Sequence, residues 1–110
     1  MKMYLDDIRN PEFKYDKIVR SYAEAVDFVK QNGIPQFISF DHDLGCDING
    51  KLEKSGFDFA KWLVECDIEN IYKFPKNFEF KVHSANPIGK NNIESLLYNY
   101  IEFKIEHMMI

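Results

Sequence analysis

The chain has 110 residues and a formal net charge of −4, a length that fits a single domain over residues 1–110 with a real core. The acidic balance excludes broad binding to extended duplex nucleic acid, which requires many neutralised phosphates, but it allows a phosphate-containing small molecule or a single RNA end as partner. With 45% hydrophobic and 29% charged residues, the composition is that of a globular protein, and no apolar run is long enough to cross a membrane.

The start of the chain and its cysteines indicate a cytoplasmic location. The first residues, Met1-Lys-Met, lack the apolar core of a signal peptide. Cys46 and Cys66 are too few and too far apart for a disulfide framework or a zinc site, so we expect both to be structural thiols. No sequence signal points to a particular oligomeric state.

The first predicted strand covers residues 1–5 and runs into acidic and basic side chains. Asp6 and Asp7 follow it directly, and Arg9 comes two positions later. The connection over residues 9–16 is polar and contains a proline, so it is too broken for a good helix. The helix that would normally follow a first strand is therefore expected to be reduced or lost.

A short second strand over residues 17–20 leads into the first predicted helix. Ser21 and Glu24 are spaced as a capping box, in which the serine caps the helix and the glutamate reaches back to it. Gly33 ends this helix.

The third strand, over residues 37–40, carries the most informative pattern in the chain. It is apolar throughout, as in a strand buried on both faces, yet it ends in Asp41, His42 and Asp43, followed closely by Gly45. In open α/β sheets, ligands bind at the carboxyl ends of the strands. The end of this strand is therefore the first candidate for a site.

Three more elements follow a charged loop over residues 46–55. A helix is predicted over residues 56–66, and a fourth strand over residues 78–82 stops at His83. After a predicted turn, apolar residues at helical spacing indicate a long amphipathic helix over residues 91–107.

Strands that alternate with helices predict an α/β fold with a mainly parallel sheet. We expect a three-layer domain with helices packed on both faces of the sheet. Parallel neighbours would bring the polar ends of the first, third and fourth strands to one edge, and these ends supply the candidate site residues.

Acidic residues at this edge suit a divalent metal, with Mg²⁺ the expected ion. Asp6, Asp7 and Asp41 are the candidate ligands, and Asp43 is close in sequence. Each aspartate alone could instead cap a turn or a helix. Together they favour a cation, because crowded carboxylates repel one another.

The remaining polar residues at the edge suit phosphate chemistry. His42 and His83 are candidates for proton transfer, because imidazole titrates near neutral pH, although either could be a simple hydrogen-bonding residue. Arg9 and Arg20 could bind a phosphate or pair with nearby acids. The hydroxyl and amide groups that follow the fourth strand could hold phosphate oxygens or form the turn before the proline. These last two candidates are Ser84 and Asn86.

The acidic pair after the first strand, Asp41 and the Ser-Ala after the fourth strand resemble response-regulator receiver domains. A closer resemblance is to the receiver-derived family of cyclic-phosphate processing receiver-like domains. It rests on Leu5-Asp-Asp-Ile-Arg9, Val19-Arg20, Glu24-Ala25, Ile38-Ser-Phe-Asp-His-Asp-Leu-Gly45 and His83-Ser-Ala-Asn-Pro87.

The resemblance implies a receiver-like fold and action on cyclic phosphates, such as 2′,3′-cyclic RNA ends or cyclic nucleotides. The lysine that receivers carry after a fifth strand is missing here, which argues against phospho-signalling, and the two added histidines favour catalysis. We therefore expect a metal-dependent phosphoesterase in which the metal is held by Asp6, Asp7 and Asp41, assisted by Arg9. His42 and His83 would serve as base and acid, and Asp43 would orient His42 or join the metal ligands.

Two other functions fit the same residues. Asp41 and Asp43, two positions apart after an apolar strand, are similar to the nucleophile and acid/base pair of haloacid-dehalogenase-type phosphatases. That family has a hydroxyl residue after the second aspartate, where this chain has Leu44-Gly45. The other alternative is a receiver-like binding or signalling module that captures a phosphate ligand without turnover.

Overall fold

The computed structural model describes residues 1–46 and 49–107, and these residues form four strands and three helices in the predicted order. The strands are β1 (Lys2–Leu5), β2 (Lys17–Val19), β3 (Phe37–Phe40) and β4 (Glu79–Val82). The helices are α1 (Tyr22–Asn32), α2 (Gly56–Ile68) and α3 (Pro87–His107). Residues 47 and 48 of the predicted charged loop lie outside the described residues. No helix in the described part of the chain is both long and apolar enough to cross a membrane.

The four strands form one parallel sheet in the order β2-β1-β3-β4. The predicted α/β class with a mainly parallel, receiver-like sheet is thus confirmed. The connection over residues 6–16 returns the chain from β1 to β2 without a helix, as its composition indicated.

All three helices pack on the same face of the sheet. The strand residues in the core alternate along their strands, as a single buried face requires. They are Met3, Leu5, Val19, Ile38, Phe40 and Val82, and they share one core cluster with side chains from α1, α2 and α3. We call this side of the sheet the helical face.

The expected second helical layer is therefore not found among the described residues, and the three-layer arrangement is corrected to two layers. α1 joins β2 to β3 and α2 joins β3 to β4, so both crossovers move across the sheet in the same direction. Right-handed crossovers in one direction put their helices on one face. The opposite face, which we call the open face, is covered only in part, by the connection over residues 9–16.

Two helix starts bring helices up to the carboxyl edge of the sheet. α2 begins at Gly56, where a Cβ atom would clash with the Asp41 carbonyl, so only glycine permits this approach. α3 begins at Pro87, four residues before the predicted start, because the side chain of Asn86 caps it by accepting from Gly89 N at 3.0 Å. Proline suits a first helical position because its missing N–H group has no partner there in any case.

A buried carboxylate ties α2 to α3. Asp67 is almost fully buried and accepts hydrogen bonds from Tyr100 Oη, Lys104 Nζ and the backbone N–H of Phe74. Burial alone would raise the pKa of Asp67, but these hydrogen bonds outweigh it and lower the pKa. The carboxylate therefore stays ionised and holds the two helices together.

Candidate functional site

The candidate site forms where β1, β3 and β4 end at the carboxyl edge of the sheet. The hydrogen-bond ladder continues one residue past each strand, through Asp6 N, Asp41 N and His83 N. Successive side chains of a strand point to opposite faces, so these three residues share the open face with Tyr4, Ser39 and Lys81, two positions earlier. One ligand atom from each of Asp6, Asp41 and His83 lies within 4.8 Å of the others. We call these three residues the acidic cluster.

The same alternation sends the neighbouring candidates to the helical side. Asp7 lies outside the acidic cluster, and its Oδ2 is next to Gly45, where a Cβ would approach it to 3.1 Å. The His42 ring packs so tightly on Gly89 of α3 that a Cβ at Gly89 would clash with it. Ser84 accepts a hydrogen bond from the backbone of Asn86 at 3.1 Å and so shapes the turn into α3.

Asp6 is the most heavily hydrogen-bonded member of the cluster. Its Oδ1 accepts from the backbone N–H groups of Ile8 at 3.0 Å and Arg9 at 2.8 Å. Its Oδ2 lies 3.0 Å from His83 Nε2 and 3.1 Å from Arg9 Nε. Burial opposes the charged form, but these partners together lower the pKa of Asp6. Asp6 is therefore ionised at neutral pH.

Asp41 has fewer compensating partners. Its Oδ1 accepts from the backbone N–H of His42 at 2.9 Å, and the nearest cation, Arg9 Nη2, is 3.7 Å away. Burial, followed by the charge of Asp6, raises the pKa of Asp41. Arg9 therefore neutralises the charge of Asp41 less completely than that of Asp6.

His83 is fixed at both ring nitrogens. Nδ1 lies 2.7 Å from Ser39 Oγ and Nε2 lies 3.0 Å from Asp6 Oδ2, while the ring stacks on Tyr4 with centroids 4.4 Å apart. Burial lowers the pKa of His83, against the opposing effect of Asp6. The imidazole is therefore neutral at neutral pH.

His42 and Asp43 form a second polar pair, on the helical side of the same edge. His42 Nδ1 lies 2.9 Å from Asp43 Oδ1, and Asn86 Nδ2 donates to the other Asp43 oxygen at 3.4 Å. Within the described residues, His42 Nε2 has no hydrogen-bond partner. A carboxylate at one ring nitrogen and an open position at the other is the usual arrangement of a histidine that transfers protons.

The two candidate arginines have different surroundings. Arg9 is about half exposed and its guanidinium contacts both carboxylates of the acidic cluster. Arg20 instead donates to the carbonyl oxygens of Asp6 at 3.2 Å and Arg9 at 2.6 Å, and to Asn10 Oδ1 at 2.6 Å. Arg20 therefore holds the beginning of the connection over residues 9–16 against the sheet.

The acidic cluster has the chemistry of a cation site. Two carboxylates offer the hard oxygen ligands that Mg²⁺ prefers, and a neutral imidazole adds a nitrogen donor. Of the three predicted ligands, Asp6 and Asp41 belong to the cluster, and His83 stands in it where Asp7 was expected. Among described residues, no hydrogen bond occupies Asp41 Oδ2, which leaves one carboxylate oxygen available to a ligand.

Ser39 was not among the predicted site residues. It is buried in the middle of β3 and its hydroxyl contacts His83. The signal was present in the sequence, because Ser39 is the single polar residue of an otherwise apolar strand and stands two positions before Asp41. Residues at that spacing in a strand share a face.

In a comparison with protein families, the model of the cyclic-phosphate processing receiver domain matches residues 1–99. The matched range includes all four strands, the acidic cluster and most of α3. Neither the curated proteins nor the solved structures contain a match to the chain.

Proposed function

Because the chain belongs to the cyclic-phosphate processing receiver domain family, we propose that it is a metal-dependent phosphoesterase that hydrolyses cyclic phosphates. The substrates would be 2′,3′-cyclic RNA ends or cyclic nucleotides. The observation that carries the proposal is the convergence of Asp6, Asp41 and His83 at the carboxyl edge of the sheet, beside the guanidinium of Arg9. Two carboxylates with an adjacent arginine suit a metal-bound phosphate group.

Asp6, Asp41 and His83 would hold the divalent ion, for which Mg²⁺ is the expected choice. The low pKa of Asp6 and the low pKa of His83 give the ionised carboxylate and the neutral imidazole that metal binding requires. The Ser39 hydroxyl can accept a hydrogen bond from Nδ1 of His83 and so leave its Nε2 free for the ion. A bound divalent ion would neutralise the phosphate charge and lower the pKa of a bound water.

Arg9 is the residue best suited to bind the phosphate itself. Its side chain is about half exposed, so the guanidinium can turn from the carboxylates towards a ligand. Planar guanidinium groups bind phosphate oxygens through two parallel hydrogen bonds. Charge that develops on the phosphate in the transition state would be stabilised at this position.

His42 is the proposed proton-transfer residue, oriented by Asp43. If Asp43 accepts from Nδ1–H, then Nε2 carries the lone pair and can take a proton from the attacking water. The new P–O bond forms as one ribose oxygen leaves the phosphorus, and the departing oxygen takes up a proton from solvent water to give a monoester. His83, whose ring nitrogens are both engaged, is better suited to hold the ion than to exchange protons.

The thiols agree with a cytoplasmic location, which we include in the proposal. Cys46 is exposed and Cys66 is buried, and both are free. Disulfides are rare in the reducing cytosol, where exposed thiols persist.

The proposal is tested by ³¹P NMR of the purified protein with 2′,3′-cyclic AMP and with an oligoribonucleotide that ends in a cyclic phosphate. We expect conversion to a 2′- or 3′-monoester with Mg²⁺ and none with a chelator. Asp41→Asn and His42→Ala should lower turnover by about 100-fold or more. Asp27→Asn on the exposed side of α1 is the matched control. An unchanged spectrum with wild-type protein in the presence of Mg²⁺ or Mn²⁺ would refute the hydrolase.

A binding module is the second candidate, and one observation favours it. Arg9 already neutralises Asp6 and approaches Asp41, so the cluster has an internal cation. In that case, a cyclic nucleotide would bind equally well in chelator and in Mg²⁺, and no monoester would form. The third alternative, a phospho-aspartate on Asp41, would be detected by mass spectrometry as an added phosphoryl group.

A further inference from the structure

The open face of the sheet carries a cavity of about 290 Å³ that adjoins the acidic cluster. His83 and Arg9 line it next to the cluster, Ser39 and Lys81 lie side by side two positions earlier on β3 and β4, and Tyr15 and Phe13 line it from the connection over residues 9–16. A cavity of this volume is at the lower end of the range for small-molecule sites. A ligand whose phosphate lies at the cluster would therefore extend into this cavity.

Aromatic side chains line much of the cavity. Tyr4 stacks on His83, and Tyr15 follows it with ring centroids 5.2 Å apart. Phe13 also lines the cavity, yet it is 78% exposed. The exposed ring of Phe13 therefore offers apolar surface on which a flat ligand can stack.

The connection that carries Phe13 and Tyr15 is fastened at both ends. Arg20 holds its beginning through the Arg9 carbonyl and Asn10 Oδ1. At its end, Asp16 N donates to Lys2 O at 2.9 Å, and Lys2 N donates to Asp16 Oδ2 at 2.7 Å. The aromatic side chains thus lie on a backbone that is positioned before a ligand arrives, which lowers the entropic cost of binding.

The charges of the cavity also indicate its ligand. The Lys81 side chain lines it, and its ammonium group makes no ion pair or hydrogen bond with any residue that the structure describes. With Arg9, the cavity offers two cations around a set of aromatic rings, and one carboxylate, Glu12, also lines it. Aromatic rings for stacking, combined with cations for phosphate oxygens, are the means by which proteins bind single-stranded RNA and nucleotides.

We propose that this cavity binds the nucleoside of a ribonucleotide whose cyclic phosphate lies at the acidic cluster, with the base stacked between Phe13 and Tyr15. Lys81 would contact the phosphate or sugar of the nucleotide that precedes this base. The inference rests on the proposed function for the position of the phosphate. It makes the protein selective for nucleotides over cyclic phosphates that lack a base.

The test compares three probes by NMR titration of the full chain: 2′,3′-cyclic AMP, adenosine, and ethylene phosphate, a five-membered cyclic phosphate without sugar or base. We expect adenosine to shift the signals of Phe13 and Tyr15, and 2′,3′-cyclic AMP to bind at least tenfold more tightly than ethylene phosphate. Phe13→Ala should weaken binding of 2′,3′-cyclic AMP about tenfold and leave ethylene phosphate unchanged. Phe103→Ala, an exposed phenylalanine of α3, is the matched control.

The outcomes separate this inference from the proposed function. Equal binding of the two cyclic phosphates, or wild-type nucleotide binding in both Phe13→Ala and Tyr15→Leu, would overturn the nucleoside site. Hydrolysis of ethylene phosphate as efficient as that of 2′,3′-cyclic AMP would also overturn the nucleoside site, but it would support the proposed hydrolase activity. Base-dependent binding without turnover would support the site and refute the hydrolase.

Discussion

Replacing Asp41 by asparagine should stabilise the fold while it removes metal binding and activity. Ligand atoms of Asp6 and Asp41 lie within 4.8 Å of each other, so their repulsion reaches roughly 3.5 kcal/mol at an effective dielectric constant of about 20. Arg9 offsets part of this, but it is half exposed and is shared with Asp6, so its contribution is discounted. We expect a net gain of about 1 kcal/mol for Asp41→Asn, or about 4 °C in Tm.

Asp6→Asn is the matched variant and should change stability in the opposite direction. An asparagine in one orientation can still accept from the two backbone N–H groups, but its NH₂ group then lies where the carboxylate oxygen meets the Arg9 Nε–H donor. The replacement thus removes a buried charge-assisted contact and leaves an amide N–H group facing another donor. We expect it to lower the free energy of unfolding by about 2 kcal/mol or more. Both variants should lose metal-dependent turnover, so only stability distinguishes them.

The assay is urea unfolding in chelator at pH 7 and again near pH 4, and its pH dependence follows from the two pKa directions. The pKa of Asp41 is raised, so its ionisation costs stability above the ordinary aspartate pKa, and the gain from Asp41→Asn shrinks as the pH falls through the folded pKa. The pKa of Asp6 is lowered, so its contribution is complete above the ordinary pKa and is lost on acidification below it. A loss of more than 1 kcal/mol in Asp41→Asn at pH 7 would refute the reasoning.

The remaining predictions concern residues around the cluster. Gly89→Ala puts a methyl group against the His42 ring and should lower turnover at least tenfold. The free energy of unfolding should change by only about 1 kcal/mol, because the higher helix propensity of alanine partly offsets the overpacking. Equal turnover in Gly89→Ala and in the exposed control Asn92→Ala would contradict the role of His42. Asp67→Ala leaves buried partners unpaired and should cost about 3 kcal/mol at pH 7 in a urea titration. Because the pKa of Asp67 is lowered, this deficit should shrink as the pH falls below about 4, whereas a deficit independent of pH would show that the charge is not its source. Arg20→Gln should speed amide hydrogen exchange in the connection over residues 9–16 without global unfolding, and unchanged protection there would show that Arg20 does not hold it.

The sequence is sufficient to predict the strands, the parallel sheet and the edge that carries the site. Apolar runs that stop in polar residues locate strand ends, and parallel strands bring those ends together. The predicted start of α3 is too late because Pro87 and Gly89 also suit a turn, although proline is well suited to a first helical position. The predicted second helical layer is also wrong, because the direction of each crossover depends on strand order, which the element sequence alone does not give.

Within the site, the alternation of side chains along a strand is enough to divide the candidate residues between the two faces of the sheet. Asp6 and Asp7 are adjacent, so they must leave β1 on opposite faces, and Asp41 and His42 leave β3 in the same way. Which member of each pair joins the cluster depends on which face the helices cover. That choice follows from the apolar residues Met3 and Leu5, whose face is the one that packs against helices.

The roles of the arginines do not follow from such a rule. Both follow a strand and both could meet a phosphate, but the guanidinium of Arg20 donates to backbone carbonyls of residues far away in sequence. These contacts depend on the path of the connection over residues 9–16, which has no periodic pattern to interpret. Long flexible side chains are positioned by tertiary contacts rather than by their own segment.

The candidate site depends on the absence of a helix between β1 and β2. Residues two positions apart in a strand share a face, so the cavity row of Tyr4, Ser39 and Lys81 and the acidic cluster form one surface. A helix packed on this face would bury both. The connection over residues 9–16 instead brings Arg9 to the carboxylates and leaves a cavity beneath Phe13. Loss of the helix thus opens a face of the sheet to a ligand larger than a phosphate group, and the nucleoside titration tests that consequence directly.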